Sequence, residues 1–310
     1  MLRSLAIALS LILPTSVFAQ TPANTLFSQM GLDRMIPVMR QEGLQYGAEI
    51  GEGMFGDIPR PAWAEVVSDI YDEDRLREGV EAAFVQALDE TDVTPLIAFF
   101  QSERGQRIVD LEISARRAML DADVEAASKD VAQEQIAANS KMYQVIDDFV
   151  QVNDLVEANV VGALNASYAF YMGLMGGGAF GNDLTEDQVL RDVWSQEGDI
   201  RASTTEWVYS FLLMAYDPLE ATDIDAYILL SKTEEGKAMN RALFEAFDQT
   251  RPIASWNFGT VHSLGQGRAT ACADITDEGR VIGFHKEFDS PTSGLICRLR
   301  GRVADCVDRP

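Results

Sequence analysis

The sequence predicts a mainly α-helical protein: a tandem duplicated helical unit followed by a small β-rich, cysteine-containing C-terminal tail. Three observations predict it. The stretch Thr91–Gly105 returns without a gap as Thr222–Gly236, with Thr91/Thr222, Asp92/Asp223, Ile97/Ile228, Glu103/Glu234 and Gly105/Gly236 identical. Residue class is kept at Val93/Ile224, Phe99/Leu230 and Ser102/Thr233, and self-similarity of this kind marks a duplication. Second, the chain is rich in Ala, Glu, Asp, Leu and Val, with apolar residues recurring at helical spacing. Third, the character changes after Arg251-Pro252: short β-type runs appear, and all three cysteines and both histidines lie beyond that point.

The elements follow in order. Residues 1–19 read as a secretory signal peptide. Arg3 supplies a positive charge, Leu5–Leu13 is apolar, and Val17-Phe18-Ala19 offers a small residue before the cut. The run is too short to span a membrane, so the mature chain is expected to start at Gln20 and to reside in a bacterial periplasm. The first helical unit covers 20–120. Met30, Ile36, Met39, Leu44 and Ala48 share one face of a helix from Leu26 to about Ile50, which the glycines of Gly51–Gly56 end. Pro61 opens a second helix, with Trp63, Val66, Val67, Ile70 and Tyr71 as its apolar face. A third runs from about Asp74 to Leu88, with Leu76, Val80, Phe84 and Leu88 in a stripe. The repeated stretch is the fourth. Ser102 is placed to cap the fifth, its hydroxyl accepting from an orphan backbone N–H, with Glu103 at the positive end of the helix dipole. Glycine at both 105 and 236 is poor for a helix, so close approach of a neighbouring backbone is expected there.

Residues 121–149 lack Pro and Gly and read as a helical bridge. The second unit, 150–250, repeats the plan. Gly176–Gly181 echoes Gly51–Gly56, and Val189-Leu190-Arg191-Asp192-Val193-Trp194 echoes Val66-Val67-Ser68-Asp69-Ile70-Tyr71. Thr185 and Gln188 have capping-box spacing. Glu206–Ala215 corresponds to the third helix, and Asp217-Pro218 stops it. The tail, 251–310, holds strand-like runs between Gly and Asp turns.

The segment Leu96–Arg107 resembles the recurring motif of the domain of unknown function 2059 family, secreted bacterial helical proteins. That motif runs Ile-Ala-Phe-Tyr, any residue, Ser-Pro, any residue, Gly, any residue, Lys or Arg. Here Phe100 stands for its Tyr and Glu103 for its Pro. In the second copy Leu229, Leu230 and Ser231 replace the aromatic pair and Thr233 replaces Ser. The resemblance covers about 60 residues of each unit. It implies a helical fold and export, and it brings no activity and no functional residues. The repeat motif Phe99, Ser102, Gly105 and Leu230, Thr233, Gly236 is therefore the chain's own signature.

Charge narrows the function. The formal net charge is −24, and residues 251–310 are close to neutral, with eight Lys/Arg and seven Asp/Glu. Nearly all the negative charge sits on the body. Nucleic acid, which needs the opposite sign, is excluded; a cationic partner would be attracted. Catalytic constellations are not apparent. Nucleophilic hydrolysis needs a base beside Ser or Cys, and only His262 and His285 exist. Cys272, Cys297, Cys306 and the histidines lack metal-ligand spacing, and in an oxidising compartment cysteines pair with one another. Met30, Met35, Met39, Met172, Met175 and Met239 sit on apolar faces and read as core filling, not copper ligands. Asp72-Glu73-Asp74 reads as a helix start. Ala158–Gly181 is uncharged and long enough to span a bilayer, but Asn159, Asn165, Ser167 and its glycines make a buried helix the better reading. A two-residue turn at Gly301-Arg302 would set Cys297 opposite Cys306, and a disulfide is expected there with Cys272 free.

The resulting expectation is a non-enzymatic envelope interaction or scaffold module, without cofactor or metal, that recognises an unidentified protein partner. The alternatives are a hydrophobic ligand held in a groove between the units around Ala158–Gly181, and a metal or redox role for the tail.

Overall fold

The computed structural model describes residues 21–55, 61–176, 184–248, 269–275, 281–289, 295–300 and 303–308, the last four ranges by their backbone alone. The described residues between 21 and 248 are helical apart from short joints. Helix α1, Pro22–Gln29, opens on a capping box between Thr21 and Asn24. It closes at Met30, and Gly31 then takes a left-handed φ of 67° before α2, Leu32–Phe55. The single helix expected from Leu26 to Ile50 is thus two helices. The apolar spacing runs straight across the joint, and only the backbone at Gly31 shows the break. The joint between α8, Lys141–Val152, and α9, Leu155–Gly176, is built the same way, with Asp154 at φ 51°. Aspartate tolerates that region because its short polar side chain bonds locally.

Gly51 does not end α2, which continues to Phe55. Gly43, Gly47 and Gly51 instead lie at four-residue spacing on one face, where α3, Pro61–Ile70, approaches. A Cβ at these glycines would run into Tyr71, Val67 and Trp63 respectively. The Trp63 indole donates to the Gly47 carbonyl at 2.8 Å, and Val67 is buried.

Helix α4, Glu73–Ala87, is capped by Asp72; α5 spans Thr94–Gln101 and α6 spans Glu103–Ala118. The bridge is helix α7, Ala122–Ala137, capped by Asp121. It packs on α11 and buries Ser128 and Ala132. Helix α10, Glu186–Ser195, opens on the Thr185/Gln188 capping box. Helix α11 runs from Glu197 to Tyr216, starting well before the expected Glu206, and stops ahead of Pro218. Helix α12 is Ala221–Ser231, and α13 covers 234–248.

One apolar core joins the two halves. It takes Leu26, Phe27 and Ile36 from the first helices, Phe84, Leu96, Phe100 and Ile108 from α4–α6, Ile146 and Phe149 from α8, and Leu213, Tyr216 and Ile228 from α11 and α12. Each large side chain buried there contributes about 1.5–3 kcal/mol. Helix α11 is its axis: Tyr209 donates to Asp147 of α8, and Tyr216, two turns on, to Glu112 of α6, both at 2.5 Å. Arg116 of α6 forks onto Glu42 of α2 at 2.7 and 2.8 Å and lies 5.0 Å over the Trp207 ring of α11. Two smaller clusters pack α3 on α2 and α10 on α9, and Phe170 of α9 joins the first of these. No helix among the described residues is long and apolar enough to cross a membrane.

Beyond residue 248 the described backbone forms an antiparallel meander, β1 Ala269–Ile275, β2 Val281–Asp289, β3 Leu295–Arg300 and β4 Val303–Asp308. Cys297 and Cys306 are Cα partners across β3 and β4. Their side chains, and the bridge expected between them, lie outside what is described.

Candidate functional site

The repeat motif builds two tight turns. Ser102 is both the last cap of α5 and the first cap of α6, so no loop separates the helices. Its hydroxyl donates to the Phe99 carbonyl at 2.5 Å and accepts from the Gly105 N–H at 3.1 Å. Thr233 repeats both bonds, to the Leu230 carbonyl at 2.7 Å and from the Gly236 N–H at 3.0 Å. The glycines answer to the same need. A Cβ at Gly105 would collide with the Phe99 carbonyl, and one at Gly236 with the Leu230 carbonyl. The close backbone expected at these positions is the last turn of the helix just before.

The turns meet at a seam. Tyr227 of α12 stacks its ring near Phe99 (5.4 Å), Phe100 (5.7 Å) and Phe149 (4.9 Å). Arg104 holds Asp223 at 2.7 Å and keeps that carboxyl below its ordinary range. Arg107 donates to the Pro218 carbonyl at 2.6 Å. Glu112, half-buried, accepts from Tyr216 and lies near Tyr227. Burial pushes its carboxyl up to about 7, and the Tyr216 hydrogen bond opposes this only in part. Tyr216 and Tyr227 are pushed well up, first by burial and then by the Glu112 charge. The seam's groups are engaged with one another, so its evident work is to hold α5, α6, α11 and α12 together.

The outer surface differs between the halves. On α10, Leu190 is 44% exposed and Trp194, one turn on, 61% exposed. The joints at Gly31 and Asp154 are 123 positions apart, and at that offset Leu190 and Trp194 correspond to Val67 and Tyr71. Those two lie on the α2 glycines. At the same offset the α9 positions for Gly43, Gly47 and Gly51 are Ala166, Phe170 and Leu174, but α10 packs on the α9 face carrying Leu164, Tyr168, Tyr171 and Met175, and Phe170 packs with the α2–α3 cluster. Helix α10 turns Val189, Asp192 and Val193 inward. Asp192 is 7% exposed, its Oδ2 has no hydrogen-bond partner, and burial raises its carboxyl. Its counterpart Asp69 is exposed.

Of the residues singled out by sequence, Phe99, Ser102, Gly105, Leu230, Thr233 and Gly236 come together at the turns and the seam, while Cys297 and Cys306 lie apart in the tail strands. Sequence reasoning missed Glu112 and the α10 ridge. Both left a signal. Glu112 falls on the buried stripe with Ile108, Ala115 and Met119, and α10 carries two adjacent apolar pairs, more than one inward face needs.

Residues 74–134 match the family described as an uncharacterized protein conserved in bacteria (DUF2059), a segment that takes in α4 to α6 and most of α7. No curated protein and no solved structure matches the chain.

Proposed function

We propose that the protein is an exported, non-catalytic interaction module whose binding face is the outer ridge of α10. The observation that carries this reading is the exposure of Leu190 and Trp194, a neighbouring apolar pair whose first-half counterparts Val67 and Tyr71 lie against α2. Tryptophan with leucine beside it is the composition of an interface anchor. The acidic body, net charge −24 for the chain, favours a cationic partner and speeds its encounter. In this reading 150–250 is a second, diverged copy of the matched family unit. The paired joints at Gly31 and Asp154 and the paired hydroxyl–glycine turns support that. The first copy holds the fold and the second presents the ridge. The N-terminal segment ending at Ala19 supports export, and a Cys297–Cys306 bridge would fasten the tail hairpin in an oxidising compartment.

In-cell photo-crosslinking tests the reading. With p-benzoylphenylalanine in place of Trp194, a discrete adduct with another envelope protein is expected. The same probe in place of the exposed Glu134 on α7 should give none. Equal labelling from both positions, or none from either, would end the proposal.

A further inference from the structure

The ridge also specifies the shape of its occupant. We infer that α10 receives a basic helix of another exported polypeptide, one with small residues at every fourth position along the contacting side. This deepens the proposed interaction reading and rests on it. The molecule itself shows how this surface is covered. Trp63 and Val67 of α3, and Tyr71 directly after it, sit over Gly51, Gly47 and Gly43, so close that a Cβ at any of the three would collide with them. The Trp63 indole then reaches the Gly47 backbone carbonyl, a bond that a bulkier helix surface would obstruct. Helix α10 keeps the two apolar residues of that arrangement, as Leu190 and Trp194. Its own neighbour α9 meets it with Leu164, Tyr168, Tyr171 and Met175, bulky side chains where α2 offers glycines. The pair is left exposed with no such glycine surface against it among the described residues, so the matching surface is what a partner must bring.

Charge sets the rest of the partner's chemistry. Asp187 lies one turn before Leu190 and Asp199 follows Trp194, beside Glu186, which accepts from Tyr168, and Glu197, which is paired with Arg201; Arg191 is the one base within α10. With the acidic body behind it, the ridge favours Lys or Arg flanking the small residues. Long cationic side chains can lie along apolar surface while their heads meet the carboxylates.

Three labelled, lactam-stabilised helical peptides test the inference by fluorescence anisotropy against the full mature chain. One carries lysines and three glycines spaced by four, the second leucines in place of those glycines, the third glutamates in place of the lysines. The glycine–lysine peptide is expected to bind, and both other peptides to bind at least about tenfold more weakly. Leu190→Ala with Trp194→Ala should weaken the first peptide by a similar factor. Both side chains are exposed, and an unchanged far-ultraviolet circular dichroism spectrum verifies the fold. Equal binding of the leucine peptide, no binding of the glycine–lysine peptide, or binding indifferent to the double substitution would each overturn the inference. The two proposals separate cleanly. An adduct at position 194 without ladder-peptide binding removes the glycine requirement and leaves the interaction module standing. Ladder-dependent binding without an in-cell adduct does the reverse.

Discussion

Gly105 and Gly236 show how one atom decides a turn. Each stands where the carbonyl of the preceding helix's last turn enters the first turn of the next. The obstruction is backbone, which cannot rotate aside as a long side chain would. Alanine's better helix propensity, about 1 kcal/mol over glycine, is therefore outweighed at both sites. Gly105→Ala and Gly236→Ala should each destabilise the protein by about 1–3 kcal/mol. Gly198→Ala should do the opposite by about 0.5 kcal/mol, since a Cβ there meets nothing within 4 Å. Urea unfolding midpoints of the three variants check the ordering. The need for glycine was legible from its recurrence in two otherwise drifting sequences. Its cause was not, because Phe99 and Leu230 reach it only once Ser102 and Thr233 have bent the chain.

Among elements, α10 is the one whose pose runs against its own sequence. It buries an aspartate and exposes a tryptophan, the reverse of α3, where Asp69 is exposed and Trp63 buried. A buried carboxylate oxygen without a partner costs about 1–3 kcal/mol. Asp192→Leu should recover about that much, while Asp69→Leu should recover none; melting temperatures at neutral pH distinguish the two. The helix itself was readable, because Thr185 and Gln188 announce its start and Val189 and Val193 its inner stripe. The direction it faces was not readable from its own residues. That direction depends on which face of α9 it meets, the one with Leu164, Tyr168, Tyr171 and Met175, a relation between helices that no local spacing expresses. The α1/α2 joint was hidden for a related reason: Leu26, Met30 and Ile36 keep helical spacing through Gly31, and periodicity does not report a change in φ.

At the scale of the whole molecule, the seam couples stability to pH. Glu112 binds its proton more tightly folded, at about 7, than its ordinary 4.5. Its contribution is therefore full below about pH 4.5 and is lost as pH rises through 7. Asp223, held low by Arg104, acts in the other sense, and its contribution is lost as pH falls below its ordinary 3.8. Glu112→Gln keeps an acceptor for Tyr216 and removes the ionisation. It should leave stability near pH 4 almost unchanged and raise it at pH 8 by up to about 3 kcal/mol. Denaturant titrations at the two pH values provide the check, and a variant as pH-dependent as the parent would refute it. The same seam bears on how the chain is made. Tyr216 meets Glu112 across 104 positions and Arg104 meets Asp223 across 119. Helix α11 fills a core whose other walls come from α1 to α6 and α8, with α12 added after it. A chain delivered from its N-terminus presents those walls first and the helix that fills them much later. Until α11 and α12 arrive, Glu112 lacks Tyr216 and Phe100 lacks Tyr227. The interval of delivery, rather than the folding of either half, is when this protein is open to proteases and to sticking to its neighbours.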